Sequence, residues 1–242
     1  MNAAAKAYAV FIVMLVAGTL AWANGDPWKS KPSQNWTDQD ITQILKVSPW
    51  AKTDIQASGA WRPMGSSTTS GVGMYTRGTV VVDGGASKEQ DAVGNIQLFT
   101  VLWWSSRTIR AASARRAVLH GTMTADDAQA AIEQGQDDYQ ILVESNKMGI
   151  FEKRGERAFE NAAYLEMKKS KRQLAPSGVT FQQNSKDEVV GVIFHFSKKG
   201  TTGEPTIAAD EKEVDFFLQV GDSKVTTFFD PTKMTDRQGP DL

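Results

Sequence analysis

Arginines at positions 107, 110, 115 and 116 crowd one short stretch, and a guanidinium holds a carboxylate or phosphate through two parallel hydrogen bonds. On a helix, 107 and 110 face together while 115 and 116 turn partly away, so the spacing predicts a solvated face rather than a four-arginine clamp. Arg107 differs from the others because it follows an apolar strand, where sheet proteins place functional groups, and it is the arginine expected to meet a ligand. Tryptophan offers a different chemistry, a stacking platform for sugars or aromatic ligands. Beyond residue 23 the candidates are Trp28, Trp36, Trp50, Trp61, Trp103 and Trp104. Burying one such ring removes roughly 150–250 Å² from water and contributes about 4–6 kcal/mol. In a chain with no cysteine, and so no disulfide, that favours the core for Trp36, Trp50 and Trp104, while Trp28 and Trp61 lie in polar surroundings. Should a groove form, Trp50, Trp61 and Arg107 are its expected ligand or partner contacts.

Catalytic patterns are scarce. Serines are plentiful, but none sits in a Gly-x-Ser-x-Gly or Ser-x-x-Lys setting that would activate it. His120 precedes Gly121 at an expected helix end, and His195 lies within an expected strand, so both read as structural. Asp38-x-Asp40 and Asp126-Asp127 are helix-start carboxylates without the spacing of a calcium loop. Gly71-x-Gly73 lacks the strand-to-helix context of a dinucleotide loop. Without cysteine a thiolate zinc site is excluded, and two histidines leave little for a histidine site. No catalytic residue, cofactor or metal is therefore expected.

Several elements must position these residues. Thr37 starts a helix whose apolar face is Ile41, Ile44 and Leu45, and Pro49 stops it. Ala51 to Ala57 reads as a strand. Ile96 to Trp104 is apolar on both alternating faces, as in a strand buried on both sides. Ser106 caps a helix ending at Gly121, and Thr124 caps another. Tyr139 to Glu144 is a strand. A long helix is expected over about 152–172, with acids early and bases late to match the helix dipole. Val179–Gln183, Val189–Ser197, Val214–Val220 and Lys224–Phe229 read as closing strands of a β-meander. The fold class expected is α+β: one domain with a mixed, mostly antiparallel sheet and three to four helices packed on it.

The chain is 242 residues long and begins with a cation, Lys6, an apolar run from Val10 to Leu20, and Ala21-Trp22-Ala23. That layout is a secretory leader, expected to be cut after Ala23. A membrane span needs about 20 apolar residues, so an uncleaved anchor is the alternative rather than the first reading. Residues 24–61 form a polar lead-in, the short helix and the strand. Residues 62–94, with seven glycines and one aromatic, Tyr75, read as a flexible Gly/Ser/Thr-rich insertion with one strand at Thr79–Val82. Residues 95–242 complete the core with 36–61. Near-balanced charge, −1 overall, argues against nucleic acid as a partner.

Trp36-Thr37-Asp38-x-Asp40-Ile41-x-x-Ile44-Leu45-x-x-Ser48-Pro49-Trp50-Ala51 resembles the opening motif of exported, uncharacterised proteins of Acidobacteria, in which a W-T-[DE] helix start leads to an S-P-W-A strand entry. Trp104-x-Ser106 before an Arg/Ala-rich helix, and the run from Phe228 through Met234 to Leu242, are similar to the same family. Thr235-Asp236-Arg237-Gln238 stands where that family carries a more apolar strand. The resemblance implies export and a bacterial host, and brings no activity or catalytic residues. The sequence thus points to an exported binding or structural component of the cell envelope, periplasmic or extracellular, whose partner is an unidentified envelope protein or ligand. The alternatives are a hydrolase or other enzyme whose site is dispersed along the chain, and a protein anchored by its N-terminus.

Overall fold

A computed structural model describes residues 25–57, 96–152 and 154–242. The expected leader, Trp61, the 62–94 insertion and its Thr79–Val82 strand lie outside the described residues. The elements are α1 (Pro27–Ser30), α2 (Asp38–Val47), β1 (Ala51–Ala57), β2 (Ile96–Trp103), α3 (Arg107–Leu119), α4 (Ala125–Glu133), β3 (Asp138–Ser145), α5 (Gly149–Glu152), α6 (Arg157–Glu160), β4 (Ala163–Met167), β5 (Arg172–Leu174), β6 (Gly178–Gln183), β7 (Val189–Ser197), β8 (Val214–Val220), β9 (Ser223–Phe229), β10 (Thr235–Asp236) and β11 (Gly239–Pro240). This is the α+β domain expected. Its strands form a five-stranded sheet in the order β1-β2-β3-β7-β6 and a four-stranded sheet in the order β5-β4-β8-β9, with a small β10-β11 hairpin. Every pairing between these strands is antiparallel. The last long strands form two hairpins, one per sheet, because residues 198–213 carry the chain across between them.

The two sheets pack face to face. Trp103 meets Phe229 edge-on at 5.2 Å, and Phe194 and Phe196 meet Phe216 at 5.5 and 6.5 Å between ring centroids. All of these rings are fully buried, and edge-to-face contact suits their quadrupoles. The opposite face of the larger sheet, carrying Leu102 and Leu142, is covered by Leu45 of α2 and by α3. Where β2, β3 and β7 are covered on both faces, over 101–103, 141–143 and 192–194, their sequences are continuously apolar.

The expected helix over about 152–172 does not form. The chain makes two single turns, α5 and α6, then enters β4, where Ala163, Leu165 and Met167 are buried and Tyr164 and Glu166 are not. That period of two outweighs the helical spacing of Phe151, Ala158, Ala162 and Leu165, and Gly155, with φ of +67°, breaks the helix early. The late bases serve the strands instead: Lys168 pairs with Asp215 of β8 at 2.7 Å.

Helix α2 starts as expected. Thr37 Oγ1 accepts from the Asp40 N–H at 3.2 Å, and Asp40 Oδ2 accepts from the Thr37 N–H at 2.9 Å, closing a capping box. Asp40 is buried, with Lys31 Nζ at 2.9 and 3.0 Å from its two oxygens. Burial alone would raise its pKa, but the Thr37 hydrogen bonds and Lys31 together hold it below the ordinary 3.8. A depressed carboxylate stabilises fully above its unfolded pKa and loses that contribution as pH falls through the lower folded value. Asp40→Asn is therefore expected to cost about 1–2 kcal/mol at neutral pH and to weaken the dependence of stability on pH below about 4. Urea unfolding of both proteins across that range checks it.

Candidate functional site

The residues that converge do so around Trp28, which lies in α1 and is 4% exposed. Pro27 opens this single turn, with φ already set for it. Trp50 stands against Trp28 edge-on, 5.7 Å between centroids at 89°. The S-P-W-A motif delivers Trp50 to this place: α2 ends at Val47, with Ser48 as its extended C-cap, and the chain turns through Pro49 into β1. Trp50 has no exposed surface, so it is a support behind Trp28 and presents no ring to a ligand. Its indole N–H donates to the Asp241 carbonyl at 2.7 Å. Trp36, also buried, donates to the Pro27 carbonyl at 3.2 Å.

Arg107 opens α3 after the Ser106 cap, whose hydroxyl accepts from the Ile109 N–H. The guanidinium grips Asp236 with two bonds, Nε to Oδ2 at 2.9 Å and Nη2 to Oδ1 at 2.8 Å. Asp236 raises the guanidinium's pKa above its ordinary value, against the opposing effect of burial. The Asp241 carboxylate sits on the same helix end, accepting from the Arg107 N–H at 2.7 Å and the Thr108 N–H at 2.9 Å. A carboxylate there satisfies two of the free N–H groups and the positive end of the helix dipole. The anion at this helix terminus is thus supplied by the chain itself. The β10-β11 turn that carries Asp236 also places Arg237 and Gln238 at the rim.

These parts enclose a cleft of about 350 Å³ whose wall includes Trp28, Lys31, Arg107, Thr108, Asp236 and Arg237. Three cations face one carboxylate. Lys31 and Arg107 are engaged with Asp40 and Asp236, whereas Arg237 is exposed. Two residues of the wall carry buried donors with no partner, Trp28 Nε1 and Thr108 Oγ1. A buried donor left unbonded costs about 1–3 kcal/mol, and neither of these has a partner among the described residues.

The other arginines go elsewhere. Arg110 Nη1 reaches the carbonyls of Ala131, Ile132 and Gln134 at 3.1, 2.8 and 2.5 Å, closing the C-terminus of α4. Arg115 Nε donates to the Trp36 carbonyl at 3.2 Å. Arg116 borders a separate cleft beside Glu144. No four-arginine clamp is assembled. His120 caps the exposed end of α3, and Gly121 follows with φ of +69°.

Sequence reasoning missed the company His195 keeps. Its Nδ1 lies 2.5 Å from Asp138 Oδ2 and its Nε2 lies 3.1 Å from Thr180 Oγ1. The line crosses β3, β7 and β6, and Gln140 Nε2 holds the other Asp138 oxygen at 2.9 Å. In a hydroxyl, imidazole and carboxylate line, the imidazole can take the hydroxyl's proton while the carboxylate orients it and stabilises its charge. Only the alternation of His195 against Phe194 and Phe196 hinted that it faced away from the inter-sheet core. Among the described residues no group of three or more acidic or histidine side chains is placed to hold a metal ion, and no helix is long and apolar enough to cross a membrane. Set against known proteins, the chain matches no family model, no curated protein and no solved structure.

Proposed function

We propose that this protein is exported to the cell envelope and acts there as a binding component, taking a small anionic ligand into the cleft beside Arg107. One observation carries the reading. A cleft of about 350 Å³ is lined by three cations, Lys31, Arg107 and Arg237, and by one carboxylate, Asp236. Arg237, which is exposed and has no ion pair among the described residues, supplies a further charge, and the Gln238 amide adds a neutral donor. The leader-like N-terminus supports export. Calorimetric titration with succinate tests the site. Saturable binding is expected, weakened about tenfold or more in Arg237→Gln and by added salt. Equal binding by wild type and variant would remove this cleft as the site.

A second reading, hydrolysis of an ester, is favoured by the Thr180–His195–Asp138 line. Its imidazole and carboxylate are each about a quarter exposed (25% and 26%), and none of the three residues lines the clefts described above. A cross-strand clasp explains it as well. His195→Ala is expected to lower stability by about 1 kcal/mol and to leave p-nitrophenyl acetate hydrolysis at the wild-type rate. A hydrolysis rate that collapses in His195→Ala, while the fold persists, would establish the enzyme reading instead.

A further inference from the structure

Trp28 also lines a second cleft, of about 550 Å³, between the α2–β1 turn and the chain after β9. Two of the large apolar side chains that the described residues leave exposed, Val47 (75%) and Phe228 (48%), stand on it. Its charges are nearly all matched. Lys29 pairs with Asp26 and Lys233 with Asp230, each at 2.9 Å. Lys52 is the exception. It has no carboxylate within ion-pair distance among the described residues, and its Nζ lies over the rings of Phe228 and Phe229, 5.7 and 5.8 Å from their centroids. Burial lowers its pKa, and nearby Lys233 adds to this against the opposite pull of Asp230.

The wall holds a further unused donor. Ser48 is 2% exposed, lines this cleft, and its hydroxyl has no hydrogen-bond partner among the described residues. One ammonium outside any ion pair, one idle hydroxyl and an apolar rim describe a complementary molecule. It carries one negative charge, because a second would meet no free cation and would be costly to desolvate. It also carries an apolar body, which would cover the exposed Val47 and Phe228. We propose that this cleft binds an amphiphilic monoanion, a single oxyanion on an apolar chain, with Lys52 and Ser48 holding the oxyanion and Val47, Trp28 and Phe228 covering the chain. The site shares Trp28 with the arginine cleft but uses none of that cleft's charged groups.

Calorimetric titration with octanoate tests this, with 1-octanol and acetate as the two halves of the probe. Octanoate is expected to saturate, and each half to bind about tenfold more weakly or worse. Lys52→Gln is expected to weaken octanoate by at least about tenfold with an unchanged circular dichroism spectrum, while succinate binding at the arginine cleft is retained. The proposal is overturned if octanoate fails to saturate at millimolar concentration, if 1-octanol binds as well as octanoate, or if Lys52→Gln binds octanoate normally. Should Lys52→Gln fail to fold, Val47→Glu reads the same site from an exposed position: weakened octanoate binding supports the site, and unchanged binding overturns it.

Discussion

Asp241→Ala is expected to destabilise the protein by about 2–4 kcal/mol, read as a lower urea midpoint with an unchanged slope. Few side chains here carry as much. The carboxylate makes two short bonds to the Arg107 and Thr108 N–H groups, at 2.7 and 2.9 Å, and is itself buried. Its removal leaves two donors at the start of α3 without partners and removes a negative charge from the helix's positive end. Asp241→Asn keeps one acceptor oxygen and loses the charge, so it should fall between wild type and alanine. Equal stability of Asp241→Ala and wild type would mean that water replaces the carboxylate and that the tail is not held at this point.

Trp50→Ala is expected to cost about 3–5 kcal/mol, the range for deleting a buried aromatic side chain. It removes the ring that stands against Trp28 and the indole N–H that holds the Asp241 carbonyl. Asp241→Ala leaves that main-chain carbonyl in place, so the two substitutions remove different hydrogen bonds, the indole's to the carbonyl and the carboxylate's to the start of α3. Trp50→Phe keeps a ring against Trp28 but loses the indole's bond and part of the packing, and should fall between wild type and alanine. Because Trp28 lines both clefts, Trp50→Ala should also weaken ligand binding at each, whereas Trp50→Phe should spare it. Urea unfolding of the two Trp50 variants, followed by succinate titration of those that fold, checks both statements.

Local signals were legible and distant pairings were not. The Thr37 cap, the Pro49 stop, the Ser106 cap and the Gly121 terminus each need only a few neighbouring residues, and each is found where its chemistry demands. The 152–172 segment misled because its charges mimic a helix dipole while Leu165 and Met167, two apart, obey a strand. Its outcome depends on β8, about fifty residues later, where Leu165 opposes Phe216. The arrangement around Trp28 lies further still from view. Trp50 finds its acceptor 191 residues away, and Arg107 finds Asp236 at a separation of 129. Nothing in the composition of Thr235–Gln238 marks it as the segment that closes a cleft. The same holds for His195, whose partners Asp138 and Thr180 sit on two other strands and meet it only through sheet register. Spacing along the chain reports caps, turns and buried faces; which carboxylate meets which arginine is decided by topology.

The most direct measurement is mass spectrometry of the protein isolated from its own cells, first under native and then under denaturing conditions. The account predicts a denatured mass for a chain beginning at Asn24, and a native mass carrying a small anionic adduct that is lost in Arg237→Gln. A chain that retains Met1, or a native mass with no adduct, would contradict it.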